Sequence, residues 1–376
     1  MKKLLLFVNV DWFFISHRLP VAVEAINQGF EVHIATTITN HSNLLKQNGL
    51  IVHHINLHRS RIGISILREL WSFFSIVKSV NPDIVHLVTI KPVLLGGVVA
   101  RLAGVPAVVS AISGLGFIFS NQSLSSVIRR KVISLLYRLA LGHGNQKVIF
   151  QNIDDQSKIT QITKILPDNS ILIHGSGVDL SLYSMKPFNT GVPIILLAAR
   201  LLVSKGVKEF VRASKLVNAT TVRARFVLVG EVDLLNPESI QQQELDQWDR
   251  DGIIEVWGYR KNMHNILSLA RIVVLPSYYG EGLPKILIEA AACGRAVITT
   301  NHPGCRDAIE NNVTGLLIPI RDANAIAEAV SSLLDNPIYC EEMGYAGRKL
   351  AERKYSIEKV CEAHMKIYQD LLAEVD

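Results

Sequence analysis

Long hydrophobic runs are missing from this chain. No stretch reaches the ~18–20 uninterrupted apolar residues that a membrane-spanning helix needs. The most apolar region, residues 84–119, is broken by Lys91, Pro92 and Arg101. Cysteine is scarce too: Cys293, Cys305, Cys340 and Cys361 stand at spacings that suit neither a metal cluster nor a disulfide framework, which fits a reducing cytoplasm. The opening Met1-Lys-Lys-Leu-Leu-Leu-Phe-Val8 meets Asp11 too soon, with no small-residue cleavage site beyond, so it reads as a first strand rather than a secretion signal. Charged residues make up only 19% against 49% hydrophobic, which excludes a disordered chain and allows a large core. Acidic residues are short in one half only. Residues 1–185 carry 17 Lys+Arg against 9 Asp+Glu, a balance of +8, while residues 186–376 carry 22 against 24, a balance of −2. The positive half suits an anionic membrane surface or an anionic acceptor, and no nucleic-acid-binding motif accompanies it.

What the chain does have is a repeated alternation of short apolar runs and helical patterns. Leu4–Val8, Glu31–Ala35, Asp83–Val88, Ala107–Ser110, Lys147–Phe150 and Ser170–His174 read as strands, with helices around 19–28, 64–80 and 94–103 between them. A Gly- and Pro-punctuated stretch from Gly175 to Pro193 reads as a linker. The rhythm then restarts, with strands at 194–199, 225–229, 253–257, 272–275, 296–299 and 315–318 and helices at 207–217, 234–251, 323–335, 341–354 and 357–373. At 376 residues this predicts an α/β chain of two doubly wound, Rossmann-like domains, 1–180 and 190–356, each with a parallel sheet covered on both faces. Ligands of such domains gather at the carboxyl ends of the strands.

Two stretches carry chemistry. In Gly280-Glu281-Gly282-Leu283-Pro284-Lys285-Ile286-Leu287-Ile288-Glu289, a strand ending at Pro276 leads through a loop into a helix, with Pro284 suited to the first helical turn. Free N–H groups at such a helix start attract phosphate, and Glu281 and Glu289 supply acceptors for hydroxyls. In Arg200-Leu-Leu-Val-Ser-Lys205-Gly206, two cations stand between a strand and a helix, where they can clamp a diphosphate and stabilise it as it leaves. Each stretch alone is matched by a bland alternative, a pair of solvated charges beside a turn.

In combination with Pro303-Gly304 and Gly315-Leu316-Leu317, these stretches resemble the retaining family-4 glycosyltransferases of the GT-B fold, over nearly all of the chain and most strongly from Pro193 to Pro319. The resemblance implies that Arg200 and Lys205 bind a donor diphosphate, Glu281 contacts the donor sugar and Glu289 the ribose hydroxyls. It places Gly282, Leu283, Pro284 and Gly304 around the donor, and Gly258-Tyr259-Arg260 beside the base. It further implies a last helix, 357–376, that crosses back to the first domain, and no cofactor or metal. Asn9–Arg18, which lacks glycine, together with His86, Lys91-Pro92 and Ser113-Gly114-Leu115-Gly116-Phe117, looks like the subgroup acting on polyprenyl-diphosphate-linked glycans in O-antigen and capsule assembly. Ser113 stands where many relatives carry His. The expected partners are then a UDP-sugar, a polyprenyl-diphosphate-linked acceptor and an anionic membrane surface, with the protein peripheral on the inner face of the cytoplasmic membrane.

On the first domain, Asp11, His17, Arg18 and Lys91 follow strand ends. Arg18 and Lys91 suit an acceptor pyrophosphate; Asp11 either orients an acceptor hydroxyl or caps a turn, and His17 either faces the acceptor or caps a helix. Ser113 and Gly114 complete the expected acceptor set. On a helix at 126–142, Arg130, Lys131, Ser134, Tyr137 and Arg138 share one arc and Ile128, Val132, Leu135, Leu136 and Leu139 the other, so the basic arc is either a solvated face or a membrane-docking one. Trp71, Phe73 and Phe74 raise the same question of docking or core, the commoner role being core, while Asp249-Arg250-Asp251 reads as solvated and His53-His54 with His58 as surface loop. Two rival functions stay open, a UDP-sugar epimerase of the same fold and a non-catalytic nucleotide-sugar-binding protein.

Overall fold

A computed structural model describes residues 1–57, 64–116, 124–188, 190–219, 223–234 and 236–375. The chain divides into two compact units, Met1–Ser176 together with Ile357–Asp376, and Gly177–Ser356.

The first unit runs β1 (Lys3–Val10), α1 (Asp11–His17), α2 (Leu19–Asn27), β2 (Glu31–Thr37), α3 (Ser42–Gln47), β3 (Ile51–His54), α4 (Ile64–Val80), β4 (Ile84–Val88), α5 (Ile90–Ala103), β5 (Ala107–Ile112), α6 (Leu124–Ala140), β6 (Gln146–Phe150), α7 (Ile153–Thr163) and β7 (Ser170–Leu172). Among the described residues its parallel sheet has the order β3-β2-β1-β4-β5-β6-β7. The order reverses between β1 and β4, the place where open α/β sheets form their crevice. Leu4–Val8 and the whole of β4 are buried, as strands covered on both faces must be.

One face is packed by α2 and by the chain's last helix, residues Ile357–Ala373, and the other by α4, α5 and α6. The last helix is held by polar ties as well as apolar contacts. His86 Nδ1 lies 2.7 Å from the Tyr368 hydroxyl, and Asn145 Nδ2 donates to Leu371 O at 3.0 Å. Arg18 belongs to this interior. It is 1% exposed, its Nη1 donates to His17 O at 2.8 Å, and it has no carboxylate partner among the described residues. Burial brings the guanidinium down to about 10. The expectation of an exposed, phosphate-binding Arg18 is corrected: the residue joins α1 to α2, and its side chain turns under the sheet's covering helices.

α6 presents parts of both arcs to the outside, not the basic arc alone as expected. Tyr137, from the basic arc, is fully buried, and the Arg138 Nε donates to Ile162 O at 2.7 Å. Val132, Leu135 and Leu139 are about half exposed, at 52%, 56% and 47%. α4 likewise turns Leu67 and Trp71 outward, 66% and 73% exposed, while Phe73 enters the core. The Arg130 side chain and residues His58, Arg59, Arg61 and Phe117 lie outside the described residues. His53 and His54 form part of β3 rather than a loop, and the His53 Nε2 meets His33 Nδ1 at 2.9 Å.

The second unit runs β8 (Ile194–Ala198), α8 (Val207–Asn218), β9 (Arg225–Val229), α9 (Gln242–Arg250), β10 (Glu255–Gly258), α10 (Met263–Leu269), β11 (Ile272–Leu275), α11 (Lys285–Ala292), β12 (Ala296–Thr300), β13 (Gly315–Ile318), α12 (Ala323–Asp335) and α13 (Pro337–Leu350); the chain then ends with α14, the helix Ile357–Ala373 of the first unit. Its described strands are all parallel, in the order β10-β9-β8-β11-β12-β13. α9 is shorter than the expected 234–251 helix. Asp249 near its end is exposed and accepts from the Val256 N–H at 2.9 Å, a turn-closing role. No helix among the described residues is long and apolar enough to cross a membrane.

Candidate functional site

The loops after β8, β11 and β12 leave the carboxyl edge of the second unit's sheet, and three short contacts knit them together. After β8, Val203–Lys205 makes one 3-10 turn and Gly206 follows at φ +76°. A Cβ on Gly206 would stand 2.3 Å from Pro276 O, so only glycine lets this loop lie against the end of β11. Ser204 O then accepts from the Tyr278 N–H at 2.9 Å. The Thr300 hydroxyl, at the end of β12, donates to Ser277 O.

This knitting sets Lys205 against Glu281. Lys205 Nζ lies 2.5 Å from Glu281 Oε1, with side-chain exposures of 10% and 14%. The Ser277 hydroxyl donates to the same oxygen at 2.9 Å, and the Tyr279 ring lies 5.5 Å from the ammonium. Arg200 is more open, 43% exposed, with Nη1 3.6 Å from Asp233 Oδ2. One cation is therefore buried and paired, and the other is at the surface and loosely held.

Glu281 and Gly282 also touch the loop after β12. Gly304 has φ +81°, and a Cβ there would stand 2.2 Å from Gly282 O. Its N–H is taken by Asp307 Oδ2 at 3.0 Å, so Gly304 acts here through close approach. Leu283 and Pro284 are buried at the start of α11. Pro284 is the N-cap of α11, not a residue of its first turn as expected: at ψ 121° it is still extended.

Glu289, one face further along α11, is 6% exposed. Its Oε1 accepts from the Tyr183 hydroxyl at 2.8 Å and lies 3.6 Å from Lys285 Nζ. Burial raises its carboxyl above the usual range, against the opposing pull of Lys285 and Tyr183. At the end of β10, Gly258 turns at φ +66° and leads to exposed Tyr259 and Arg260. These border a recess of about 700 Å³ lined also by Trp257, Lys261, Asn262 and Ile266.

In the first unit the expected acceptor residues are not equivalent. Asp11 is fully buried. Its Oδ1 accepts from the Trp12 N–H (2.8 Å) and the Thr39 hydroxyl (2.7 Å), and its Oδ2 from the N–H groups of Thr39 (2.7 Å) and His41 (3.2 Å). Burial alone would raise its carboxyl, but these donors hold it below the usual range. Of the two readings of Asp11, the geometry is that of the turn-capping one. His17 Nδ1 sits 3.2 Å from Phe13 O and its ring stacks on Phe13 at 4.1 Å, a helix-end placement. Lys91 falls in the first turn of α5, which starts earlier than expected, and pairs with buried Glu69 at 2.7 Å.

Ser113 follows β5, beside Gly114 at φ +104°, and its hydroxyl has no partner among the described residues. Two residues that sequence reasoning did not single out behave likewise. The side-chain oxygens of Asn9, near the end of β1, and Thr89, after β4, are buried and unpartnered. Thr89 also holds φ +76°, unusual for a β-branched residue. β1, β4 and β5 are neighbours, so these three polar groups share one sheet edge. Tyr183 and Ser277 were missed as well; neither lies in a motif, and both are recruited by folding.

Comparison with known proteins gives two family matches, Glycosyl transferase 4-like over residues 3–152 and Glycosyl transferases group 1 over residues 184–350. An N,N'-diacetylbacillosaminyl-diphospho-undecaprenol alpha-1,3-N-acetylgalactosaminyltransferase of Campylobacter jejuni is 27% identical, across 95% of this chain and 96% of the relative. A UDP-Gal:alpha-D-GlcNAc-diphosphoundecaprenol alpha-1,3-galactosyltransferase of Escherichia coli is 26% identical, across 73% of this chain and 72% of the relative. Among solved structures, Anabaena HepE in complex with UDP superposes with a TM-score of 0.76 at 16% identity, covering 98% of this chain and 100% of that one. A Rickettsia africae glycosyltransferase does so with a TM-score of 0.77 at 20% identity, covering 99% and 98%.

Proposed function

Because the chain belongs to the GT-B glycosyltransferases, a Glycosyl transferase 4-like half followed by a Glycosyl transferases group 1 half, we propose that it moves a hexose or N-acetylhexosamine from a UDP-sugar to a polyprenyl-diphosphate-linked glycan, with retention of configuration, in bacterial surface polysaccharide assembly. The relatives named above act on undecaprenyl-diphosphate-linked sugars, which supports the acceptor class. The observation that carries the donor side is the Lys205–Glu281 contact, with Glu289 buried on α11, the helix that follows the Glu281 loop.

In this reading Arg200 and Lys205 hold the diphosphate, Glu281 meets the sugar, and Glu289 takes the ribose hydroxyls. The start of α11 at Gly282–Pro284 faces phosphate, and Gly258 and Arg260 border the base. The acceptor hydroxyl attacks the anomeric carbon on the face the diphosphate leaves. The carbon–oxygen bond to phosphate breaks, the new glycosidic bond forms, and the acceptor's proton passes to the departing phosphate oxygen. Arg200 and Lys205 stabilise the charge that develops there. On the acceptor side, Asn9, Thr89 and Ser113 offer unpartnered polar groups, whereas Asp11 and Arg18 are committed to the fold.

The membrane partner belongs to the same proposal. The outward faces of α4 and α6 combine Leu67, Trp71, Leu135 and Leu139 with exposed Arg68, Lys131 and Arg138. Between residues 58 and 142 the sequence has ten Lys+Arg and only two acids, Glu69 and Asp83. An apolar face flanked by cations, with so little acid, suits the headgroup region of an anionic inner-leaflet surface.

The test is an incubation of purified protein with a polyprenyl-diphosphate-linked acceptor and a panel of radiolabelled UDP-sugars. Label entering the lipid fraction with one sugar is the expected result. Conversion of a UDP-sugar without acceptor would establish the epimerase instead, and binding without turnover of any sugar would establish a non-catalytic protein.

A further inference from the structure

Residues 179–188, at the start of the second unit, are fastened to the rest of that unit through Arg348 on α13, Arg295 just before β12, and residues of α10 and α11. Arg348 Nη1 donates to the carbonyls of Tyr183 (2.7 Å) and Ala292 (2.8 Å), and Arg295 Nη2 donates to Lys186 O (2.7 Å). Lys186 Nζ reaches Asn265 Oδ1 on α10 at 3.5 Å. The Tyr183 ring meets His264 edge-on at 6.1 Å, and its hydroxyl donates to Glu289 Oε1 at 2.8 Å. Tyr183 thus stands between α10, which follows the base-side turn, and the carboxylate read as the ribose ligand.

The two oxygens of Glu289 are used differently. Oε1 takes the Tyr183 hydroxyl at 2.8 Å and is the oxygen that faces Lys285 Nζ at 3.6 Å, so the tyrosine fixes the carboxylate through Oε1 and not through Oε2. A carboxylate fixed through one oxygen presents the other in a defined direction, which is what a vicinal diol needs from its acceptor. We propose that Tyr183 is a positioning residue for nucleotide binding: it locks Glu289 through Oε1 so that Oε2 is aimed at the ribose hydroxyls. This rests on the ribose reading of Glu289 given above. Burial, then the neighbouring carboxylate, push the Tyr183 phenol well above its usual range, so it remains the donor at neutral pH.

The test compares parent, Tyr183→Phe and Glu289→Gln by calorimetry with UDP and with UDP whose ribose lacks both hydroxyls. Phenylalanine keeps the ring against His264, and a melting curve on the same samples checks the fold. Tyr183→Phe is expected to weaken UDP about tenfold, the scale of one hydrogen bond to a charged group. It should leave the hydroxyl-free nucleotide unchanged, and raise KM for the donor with kcat nearly constant. Loss of the donor also raises the Glu289 pKa further, so the acid limb of UDP affinity moves to higher pH, a shift that a packing role alone would not cause. Equal weakening of both nucleotides, or unchanged UDP affinity, overturns the assignment to Tyr183. If Glu289→Gln binds UDP as tightly as the parent, the ribose reading itself falls, whatever Tyr183→Phe does.

Discussion

Lys205 Nζ and Glu281 Oε1, 76 positions apart in the chain, stand 2.5 Å apart at the carboxyl edge of the second sheet, each side chain less than 15% exposed. Breaking a buried pair from one side leaves the other charge without its partner, at a cost of about 3–5 kcal/mol. Arg200, by contrast, is 43% exposed and 3.6 Å from its acid.

The two cations should therefore fail differently. Lys205→Ala and Arg200→Ala should each lower turnover about 10²-fold or more, the scale for losing a group that stabilises developing charge. Only Lys205→Ala should also lower the melting temperature clearly. Parallel kcat and melting measurements check this. A Lys205→Ala protein with parent-like turnover would remove the clamp from the scheme. On the proposed reading, in which Arg200 and Lys205 neutralise the diphosphate, EDTA is expected to leave turnover largely intact.

Gly304 gives a prediction about loop packing. Alanine there combines a positive φ, costing roughly 1–2 kcal/mol, with a Cβ 2.2 Å from Gly282 O. Gly252 has a similar φ, +65°, but a methyl at that position would meet nothing within 4 Å, so Gly252→Ala isolates the backbone cost. Gly304→Ala should destabilise more than Gly252→Ala and weaken UDP binding, whereas Gly252→Ala should leave UDP binding unchanged. Calorimetry and chemical denaturation of both variants decide it.

Asp11 should act on stability and not on the acceptor. Its folded pKa is depressed, so its contribution is fully present above the unfolded carboxylate pKa and is lost as pH falls through the folded one. Asp11→Asn should cost about 2 kcal/mol at pH 7, the scale of losing charge-assisted hydrogen bonds in the interior. The gap to the parent should narrow as pH falls below 4, because the parent loses the same carboxylate. Denaturant midpoints at several pH values measure this, and an unchanged acceptor KM in the folded variant would agree with a turn-capping Asp11.

The doubly wound architecture was legible because short, largely apolar runs such as Leu4–Val8 and Ile84–Val88 have one good solution, a parallel strand covered on both faces. The last helix, 357–373, was legible with its bounds, since its amphipathic period runs unbroken between Ser356 and the chain end. α6 shows where periodicity stops. The helical count put Tyr137 on one arc with Lys131 and Arg138, yet Tyr137 is buried while both cations stand outward beside Val132, Leu135 and Leu139, so neither arc survived as a unit. β3 was missed because Ile51–His54 is short, half of it histidine, and at the sheet's edge. The spacing of Glu281 and Glu289 was visible in the chain, but the groups that hold them, Ser277 and Tyr183, carry no motif. Arg18 looked like a surface cation because nothing in its neighbours announces a buried guanidinium without an acid.

The mixed outward face of α6 changes what membrane binding should depend on. Had the basic arc faced outward alone, attraction to anionic vesicles would vanish once salt screened it beyond ~8–10 Å. Instead Leu135 and Leu139 stand outward beside Lys131 and Arg138, so an unscreened apolar contribution is added to a screened one. Each basic residue near the surface is worth about 1 kcal/mol, so Lys131→Glu with Arg138→Glu should weaken binding strongly at low salt and less at high salt. Burying a leucine is worth roughly 1.5–3 kcal/mol, so Leu135→Glu with Leu139→Glu should weaken binding at every salt concentration. UDP affinity should be unaltered in both pairs, because α6 belongs to the first unit, whereas the UDP site is proposed in the second. Vesicle sedimentation across a salt series reads all of this. A parent released completely by salt, with the leucine pair bound as tightly as the parent, would leave α6 as a solvated face and the apolar insertion without support.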